Sequence, residues 1–373
     1  LFFICLASFF SAILNSHNKF AVPSASPIIL NIVLILVLFS SRLLGDQLIY
    51  YLSYAVSISG ILQFLFLYKF VKKHCSLKLN FKIRVSNKVK YFFKKLLPSI
   101  FSSGVTQINI LIGTIIASYQ ASAVSYLYYA DRIYQINLAI AGIAISVVIL
   151  PQLSKYIQSG RKKKILLIQN KALELSLFLS VPATFALIIG SEQIISALFG
   201  YGSFNERSVL NSGLALYYFA LGLPAFALIK VFSSFFYANH DTKTPFYISL
   251  ISVIINILIS VYYFNKIGFI IIPIATSISS WFNSIILFIF LKNQKLFFFN
   301  KIFFINFFKI MIASLLMGIF FNFLLIFFQN ELAFNEKIKS LYLILSVLLG
   351  LLFYLVICYL IKAFKISDIK LKY

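Results

Sequence analysis

Long apolar segments recur along the whole chain, separated by short polar connections. A helix needs about 20 apolar residues to cross the hydrocarbon core of a bilayer. Eleven segments reach or approach that length, at residues 1–14, 28–45, 47–68, 96–118, 124–150, 172–190, 210–237, 246–264, 267–291, 306–328 and 340–361. Because backbone groups in lipid must satisfy their own hydrogen bonds, the pattern predicts an all-α, polytopic integral membrane protein with about eleven transmembrane helices.

Composition supports the same fold class. Of the 373 residues, 61% are hydrophobic and only 11% are charged. Soluble domains carry about 25% charged residues. A soluble enzyme with a single membrane anchor is therefore excluded.

The net charge of +24 is explained by where the basic residues lie. Alternate connections hold 26 of the 33 Lys and Arg residues, ten of them in 69–95, and the opposite connections hold five. Basic connections stay on the cytoplasmic side of a membrane. We therefore expect a bacterial inner-membrane protein with a cytoplasmic C-terminus, associated with the phospholipid bilayer and with no nucleic acid.

The residue types that usually carry catalysis or bind metals are sparse and scattered. No CxxC motif is present, and no histidine pairs with a carboxylate at catalytic spacing. The cysteines and histidines are Cys5, Cys75, Cys358, His17, His74 and His240. We expect no metal site, no cofactor and no catalytic centre.

The stretch "SYLYYADRIYQ" (125–135) places Asp131 and Arg132 inside a predicted span. An ionisable side chain at the centre of a membrane helix costs roughly 2.5–3.5 kcal/mol on insertion scales. Gln135, three residues after Arg132, shares its helix face. This face indicates either a cationic site in a wet cavity, suited to a pyrophosphate because Arg forms bidentate contacts, or an Arg held structurally by another helix.

Other polar residues also lie within predicted spans. Lys230 is a second intramembrane cation, which either lines a cavity or extends to the interface. Gln107, Asn109 and Asn256 serve either as hydrogen bonds between helices or as substrate contacts. In "HDTKTPF", Thr244 is predicted to cap a helix that has Pro245 in its first turn.

Two features concern helix packing and internal symmetry. Small residues such as Gly142, Ala144 and Ser146 recur within spans and predict close helix contacts. "SAILNSHNKFAVP" (11–23) echoes "SSFFYANHDTKTP" (233–245), as expected for two similar halves of a transporter.

Several segments together resemble the lipid II flippases of the MurJ/MviN family, and the resemblance covers nearly the whole chain. In chain order they are "ILNSHNKFAVPSASPIILNI", "LPSIFSSGVTQINILIGTIIAS", "SYLYYADRIYQINLAIAGIAISVVILPQLSK", "LFGYGSFN", "LGLPAFALIKVFSSFFYANHDTKTP" and "ATSISSWFNSIIL". The family belongs to the multidrug/oligosaccharidyl-lipid/polysaccharide flippase superfamily.

The resemblance implies a two-lobe transporter fold of fourteen helices, of which this chain holds family helices 4–14. The chain begins at Leu1 within an apolar run, so we expect it to be truncated at its N-terminus. Residues 1–72 correspond to the remainder of the N-terminal lobe (family helices 4–6) and 73–95 to a basic cytoplasmic linker. Residues 96–292 correspond to the C-terminal lobe (family helices 7–12), and 293–373 to two additional helices and a basic tail.

The function that the resemblance implies is movement of lipid II, an undecaprenyl-pyrophosphate-linked disaccharide peptide, from the cytoplasmic to the periplasmic leaflet. Alternating access makes and breaks no bond, so the protein is expected not to be an enzyme. Arg132 and Asp131 match the family's "ADR", whose Arg contacts the anionic headgroup. Gln135, Lys230, Gln107 and Asn109 complete the predicted substrate-binding set. Contacts with the cell-wall synthesis machinery are a further expectation.

Some family members bind a cation through acids at the positions of Gly113 and near Ser260, alongside Asn256 and Thr276. This chain lacks both acids. Asn256 and Thr276 are therefore expected to be the remnant of a cation site, without bound sodium.

Three alternatives remain open on the sequence alone. The chain is either another polyprenyl-linked oligosaccharide flippase or multidrug exporter of the superfamily, a non-transporting scaffold or non-functional fragment, or a polytopic lipid-modifying enzyme. The last requires an acid, His or metal cluster at one membrane face, and the sequence suggests none.

Overall fold

A computed structural model describes residues 2–17, 19, 21–40, 47–74, 90 and 107–363. Within these ranges the regular secondary structure is helical, and the chain divides into two compact units, Leu1–Tyr91 and Phe92–Tyr373. Most of the predicted linker (73–95) and the start of the 96–118 segment lie outside the described residues, as does the tail 364–373.

The first unit contains three helices. They are α1 (Phe2–Ser16), α2 (Ala21–Phe39) and α3 (Leu48–His74). Both α1 and α2 pack on α3, around a small core formed by Ala7, Leu14, Leu67 and Val71.

The second unit is a larger helical bundle built around α9. Its elements are α4 (Gln107–Ser118), α5 (Ala123–Leu138), a π-helical segment (Ala139–Ala144), α6 (Ile145–Gln158), α7 (Lys162–Ile189), α8 (Ser191–Phe199), α9 (Glu206–Ala238), α10 (Lys243–Ile267), a 3₁₀ turn (Gly268–Ile270), α11 (Ile271–Asn293), α12 (Lys301–Phe327) and α13 (Lys339–Leu360). Helix α9 packs against α5, α6, α7, α8 and α11. Its residues Leu216, Leu223, Phe235 and Phe236 are fully buried, which places the centre of the core along this helix.

The predicted all-α, polytopic membrane fold is confirmed, because every predicted apolar segment overlaps a helix among the described residues. Two predicted starts are wrong: α2 begins at Ala21 rather than 28, and α7 at Lys162 rather than 172. Polar residues continue these helices past the apolar stretch, which an apolar pattern cannot show. The short helix α8 is also absent from the predicted segments.

The predicted cap of α10 is wrong in its residue. The helix begins at Lys243, and the carboxylate of Asp241 accepts hydrogen bonds from the backbone N–H groups of Lys243 and Thr244, both at 3.0 Å. The Thr244 hydroxyl also donates to Asp241, at 2.6 Å. A carboxylate supplies two acceptors and a negative charge at the positive end of the helix dipole, so Asp241 takes the place predicted for Thr244.

The predicted echo between 11–23 and 233–245 has a structural counterpart. The Lys19 N–H donates to the Leu14 carbonyl at 2.9 Å, and the Asp241 N–H donates to the Phe236 carbonyl at 3.0 Å. The two bonds fall at aligned positions of the echoed strings and close the same type of turn at a helix C-terminus. The same bond closes other helix ends, such as that of the Arg161 N–H to the Tyr156 carbonyl, so the similarity of the two halves stays a prediction.

Buried amides fix the connection before α12 onto α7. The side-chain amides of Gln169 and Asn170 donate to the carbonyls of Leu296 and Phe298, each at 3.0 Å. The Asn300 N–H donates back to the Asn170 side-chain oxygen, also at 3.0 Å. These bonds satisfy backbone groups that burial would otherwise leave unpaired, and they hold the last helix pair within the second unit.

Candidate functional site

Arg132 lies well inside a long helical stretch. Helix α5, the π-helical segment and α6 run continuously from Ala123 to Gln158. Arg132 is nine residues from the start of α5, which corresponds to about 14 Å along the axis. The cation therefore belongs to the interior of a span.

The Arg132 side chain is exposed on the surface of its own unit. Its guanidinium carbon lies 4.5 Å from the ring centroid of Tyr128, one turn earlier on the same helix. Within the part of the chain that the structure describes, the guanidinium has no hydrogen-bond partner, and the carboxylate of its neighbour Asp131 interacts with it only through their opposite charges. The ring holds the cation by a cation–π contact, and the five N–H donors stay available to a ligand.

Asp131 and Gln135 form a separate pair beside Arg132. Asp131 is half-buried, Gln135 is exposed, and the Gln135 side-chain amide donates a hydrogen bond to the Asp131 carboxylate one turn below. Gln135 shares the exposure of Arg132, as the sequence predicts, but its polar contact is with Asp131. The pair orients both side chains, and Asp131 makes no hydrogen bond to the guanidinium although their charges attract each other.

The π-helical segment brings this helix into close contact with α9. A Cβ added at Gly142 would lie 3.1 Å from the Ala227 Cα and 3.4 Å from the Lys230 Cγ. The Ser176 hydroxyl donates to the Ala141 carbonyl at 2.9 Å, which satisfies a backbone group of the segment. The predicted close packing at Gly142 is confirmed. The π geometry, a feature frequent at functional sites, gave no signal in the sequence beyond the small residues of "AIAGIA".

Lys230, on α9, takes part in the contact between this helix and the π-helical segment. Its carbonyl accepts a hydrogen bond from the Ser146 hydroxyl at 3.1 Å, its stem lies against Gly142, and its side chain is exposed. The level of Gly142 is ten residues beyond Arg132, or about 15 Å along the helix axis. The two intramembrane cations thus lie on two packed helices at two different levels.

The remaining predicted contacts lie on a different helix. Gln107 is exposed and Asn109 is half-buried in the first turn of α4. This helix packs on the start of α11, where a Cβ at Gly113 would lie 3.8 Å from Ile272. The structure therefore places these two amides on the helix that precedes α5, and shows no direct contact between them and Arg132 among the described residues.

Asn256 and Thr276 come together in a neutral polar network between α10 and α11. The Asn256 amide donates to the hydroxyls of Thr276 at 3.0 Å and Ser279 at 3.3 Å. The Ser260 hydroxyl donates to the Asn256 side-chain oxygen at 3.3 Å. The predicted remnant therefore has the geometry of a hydrogen-bond bridge between helices.

Lys339 is a buried cation that the sequence did not single out. It is 1% exposed, and its ammonium donates to the carbonyls of Gly200 at 2.7 Å and Phe334 at 2.6 Å. The ammonium also lies 4.5 Å from the ring centroid of Tyr201 and 4.6 Å from that of Phe334. Because Gly200 ends α8, Lys339 joins the start of α13 to the negative end of that helix.

Comparison with known proteins gives a consistent result. The family profile described as "Lipid II flippase MurJ" matches residues 1–343. A "Probable lipid II flippase MurJ" of Rhizobium tropici is 38% identical over 288 residues, which cover 76% of this chain and 54% of that protein. The protein of the same name from Rickettsia prowazekii is 40% identical over 288 residues, covering 76% of this chain and 56% of its own length. The chain thus spans about half the length of these curated relatives.

A solved structure agrees in fold. "Lipid II flippase MurJ, inward closed conformation" is 28% identical to this chain with a TM-score of 0.77, and the match covers 96% of this chain and 71% of the solved one. The family profile, the relatives and the solved structure all agree with the family that the sequence resembles. The chain belongs to the lipid II flippase MurJ family.

Proposed function

We propose that the complete protein that contains this chain flips lipid II from the cytoplasmic to the periplasmic leaflet by alternating access. The observation that carries this proposal is the exposed Arg132 guanidinium, whose N–H donors have no partner among the described residues. A pyrophosphate offers oxygens that such a planar fork contacts in pairs. The burial cost of the charge is then offset by a wet cavity and an anionic ligand.

Lys230 and Arg132 offer the headgroup two positive charges at different depths in the membrane. By the predicted topology, α9 runs from the periplasmic to the cytoplasmic side, so Lys230 lies nearer the cytoplasm and Arg132 nearer the periplasm. A pyrophosphate entering from the cytoplasm meets Lys230 first and Arg132 afterwards. The Asp131 carboxylate stays bonded to Gln135, which limits its repulsion of the phosphates. Gln107 and Asn109 are proposed as sugar or peptide contacts.

The polyprenyl tail stays in lipid while the headgroup crosses. No covalent bond forms or breaks, so the proposed activity is transport and not catalysis. The site is proposed to operate in the bacterial inner membrane, with the C-terminus in the cytoplasm and with contacts to the cell-wall synthesis machinery. The asymmetry of basic residues supports this orientation.

The proposal is tested by rescue of a bacterium depleted of its own lipid II flippase. The complete gene is expressed as wild type, Arg132→Ala, Arg132→Lys and the control Arg161→Ala, an exposed Arg beside α7. We expect the wild type and Arg161→Ala to rescue growth and Arg132→Ala to fail. Arg132→Lys should rescue growth weakly, because it keeps the positive charge but lacks the paired N–H donors of the guanidinium.

Two other outcomes contradict parts of the proposal. Rescue by an equally expressed Arg132→Ala removes Arg132 from the headgroup path. No rescue by a well-inserted wild type rejects lipid II as the substrate and favours another polyprenyl-linked oligosaccharide.

A further inference from the structure

A polar cavity lies at the end of the α5–α9 contact that is opposite Lys230. Its volume is about 540 Å³, within the range of about 300–1,000 Å³ that is typical of small-molecule sites. It carries one charge of each sign, Glu192 from α8 and Arg207 from α9. The other side chains with polar groups that line it are Gln120, Ser122, Tyr126, Ser191 and Asn211. Ser122 is ten residues from Arg132, or about 15 Å along the helix, so this cavity is distinct from the cationic site.

The two charged walls are held in place by packing. A Cβ added at Gly213 would lie 3.1 Å from the Glu192 Cα, so the start of α8 rests directly on α9. Arg207 lies in the first turn of α9, where the Asn205 side chain caps the helix by accepting from the Ser208 N–H at 2.9 Å. Both charges therefore project from backbone that is fixed.

The third wall contains Ser122 and Gln120, and only the Ser122 side chain is left without a capping bond. Ser122 has the left-handed φ of 62°, precedes α5 at the capping position and makes no side-chain cap bond. A non-glycine residue in this conformation is a strained feature of the kind that clusters at binding sites. The Gln120 side-chain oxygen accepts from the Phe269 N–H at 2.8 Å, which fixes its amide plane.

Glu192 and Arg207 line one cavity without neutralising each other. Among the described residues neither charge has an ion-pair partner. Arg207 is six residues from Gly213, the contact point of Glu192, so the two attachment points are separated by about 9 Å along α9. Both side chains are exposed to solvent, and a ligand that contacts both of them carries an ammonium and a carboxylate at the two ends of a short chain.

We propose that this cavity binds the zwitterionic end of a short peptide, with a side-chain ammonium on Glu192 and the C-terminal carboxylate on Arg207. The natural source of such a group is the peptide of the lipid-linked headgroup, and that identification rests on the proposed function. By the predicted topology the cavity faces the periplasm, so it receives the peptide as the headgroup leaves the cationic site.

The test is binding of small probes to the complete protein in lipid nanodiscs, measured by titration calorimetry. The probe is Nα-acetyl-lysine, which carries an ε-ammonium and an α-carboxylate. Nα,Nε-diacetyl-lysine lacks the ammonium, and Nα-acetyl-lysine methylamide lacks the carboxylate. We expect each loss to weaken binding by at least about tenfold.

Two variants test which side chain of the cavity binds which charge of the probe. Glu192→Gln should abolish the preference for Nα-acetyl-lysine over the diacetylated probe and keep the preference over the methylamide, and Arg207→Gln should do the reverse. Glu206→Gln, an exposed acid in the same turn of α9 but outside the cavity lining, should change neither preference. Equal binding of all three probes, or no binding by a folded wild type, overturns the proposal.

This readout is independent of lipid transport. Probe discrimination by a protein that does not transport lipid II supports the cavity and rejects the proposed function. Transport of lipid II without probe binding rejects the cavity and leaves the proposed function intact.

Discussion

Arg132 and Lys339 are both cations at or inside helices of apolar spans, and their surroundings are opposite. Lys339 is 1% exposed, and carbonyls at 2.7 and 2.6 Å together with two aromatic rings surround its ammonium. Arg132 is exposed and contacts one ring, that of Tyr128 at 4.5 Å. One cation is satisfied by the protein itself, and the other is left for something outside the described chain.

The difference separates two uses of a costly charge. A cation that receives carbonyl oxygens and ring faces from its own chain stabilises the fold, because its removal leaves those carbonyls buried and unpaired. A cation with unused donors contributes little to the fold and is available for binding. Burial and partners, rather than residue type, therefore distinguish the structural cation from the proposed functional one.

The largest expected loss of stability follows from replacing Lys339. Lys339→Met keeps the apolar stem but removes the donors to Gly200 and Phe334, each loss costing about 1–3 kcal/mol for an unsatisfied buried group. We expect the free energy of unfolding to fall by about 2–4 kcal/mol, measured by thermal unfolding in detergent. Lys337→Met, an exposed Lys in the same connection, is the control and should change stability by no more than about 0.5 kcal/mol. Equal effects of the two variants on stability would show that the buried contacts of Lys339 do not stabilise the fold.

A smaller loss is expected at the helix contact that places Lys230. Gly142→Leu introduces a side chain where a Cβ already meets the Ala227 backbone at 3.1 Å, and overpacking of this kind costs about 1–3 kcal/mol. The matched variant Ala144→Leu, at an exposed position two residues later, should be nearly neutral. Melting temperatures of both variants check this, and a stable Gly142→Leu would show that the π-helical segment and α9 do not require close approach.

The Asp241 carboxylate is expected to make a pH-dependent contribution of about 1 kcal/mol or less to the free energy of unfolding. Partial burial raises the pKa of this carboxyl, but hydrogen bonds from Thr244 and Lys243 lower it by more, so the net pKa is below its ordinary value. A depressed pKa stabilises the fold above the unfolded-state pKa of about 3.9 and loses that contribution as pH falls through the folded-state pKa.

The matched variant for this effect is Asp241→Asn, which keeps an oxygen acceptor but cannot titrate. The melting temperature of the wild type should fall between pH 7 and pH 3, and that fall should be smaller for Asp241→Asn. Identical pH profiles would assign the cap to a group other than the Asp241 carboxylate.

The sequence predicted the helices well because lipid imposes both their length and their apolar composition. It also placed Arg132 inside a span. It did not predict the Lys339 site, since Lys339 and Gly200 are 139 positions apart and no local pattern links them. The partner of Gln135 and the capping residue of α10 were missed for a related reason: several polar neighbours were within reach, and only side-chain geometry selects among them.

The central claim is that Arg132 acts through a ligand and not through the fold. Its most direct test is the rate of lipid II transport into the opposite leaflet of proteoliposomes containing the complete protein, as wild type, Arg132→Lys or Arg132→Gln, each with its melting temperature measured. We predict that Arg132→Gln transports at least about tenfold more slowly with an unchanged melting temperature, and that Arg132→Lys lies between. Unchanged transport in Arg132→Gln, or a loss of stability comparable to that of Lys339→Met, would contradict the claim.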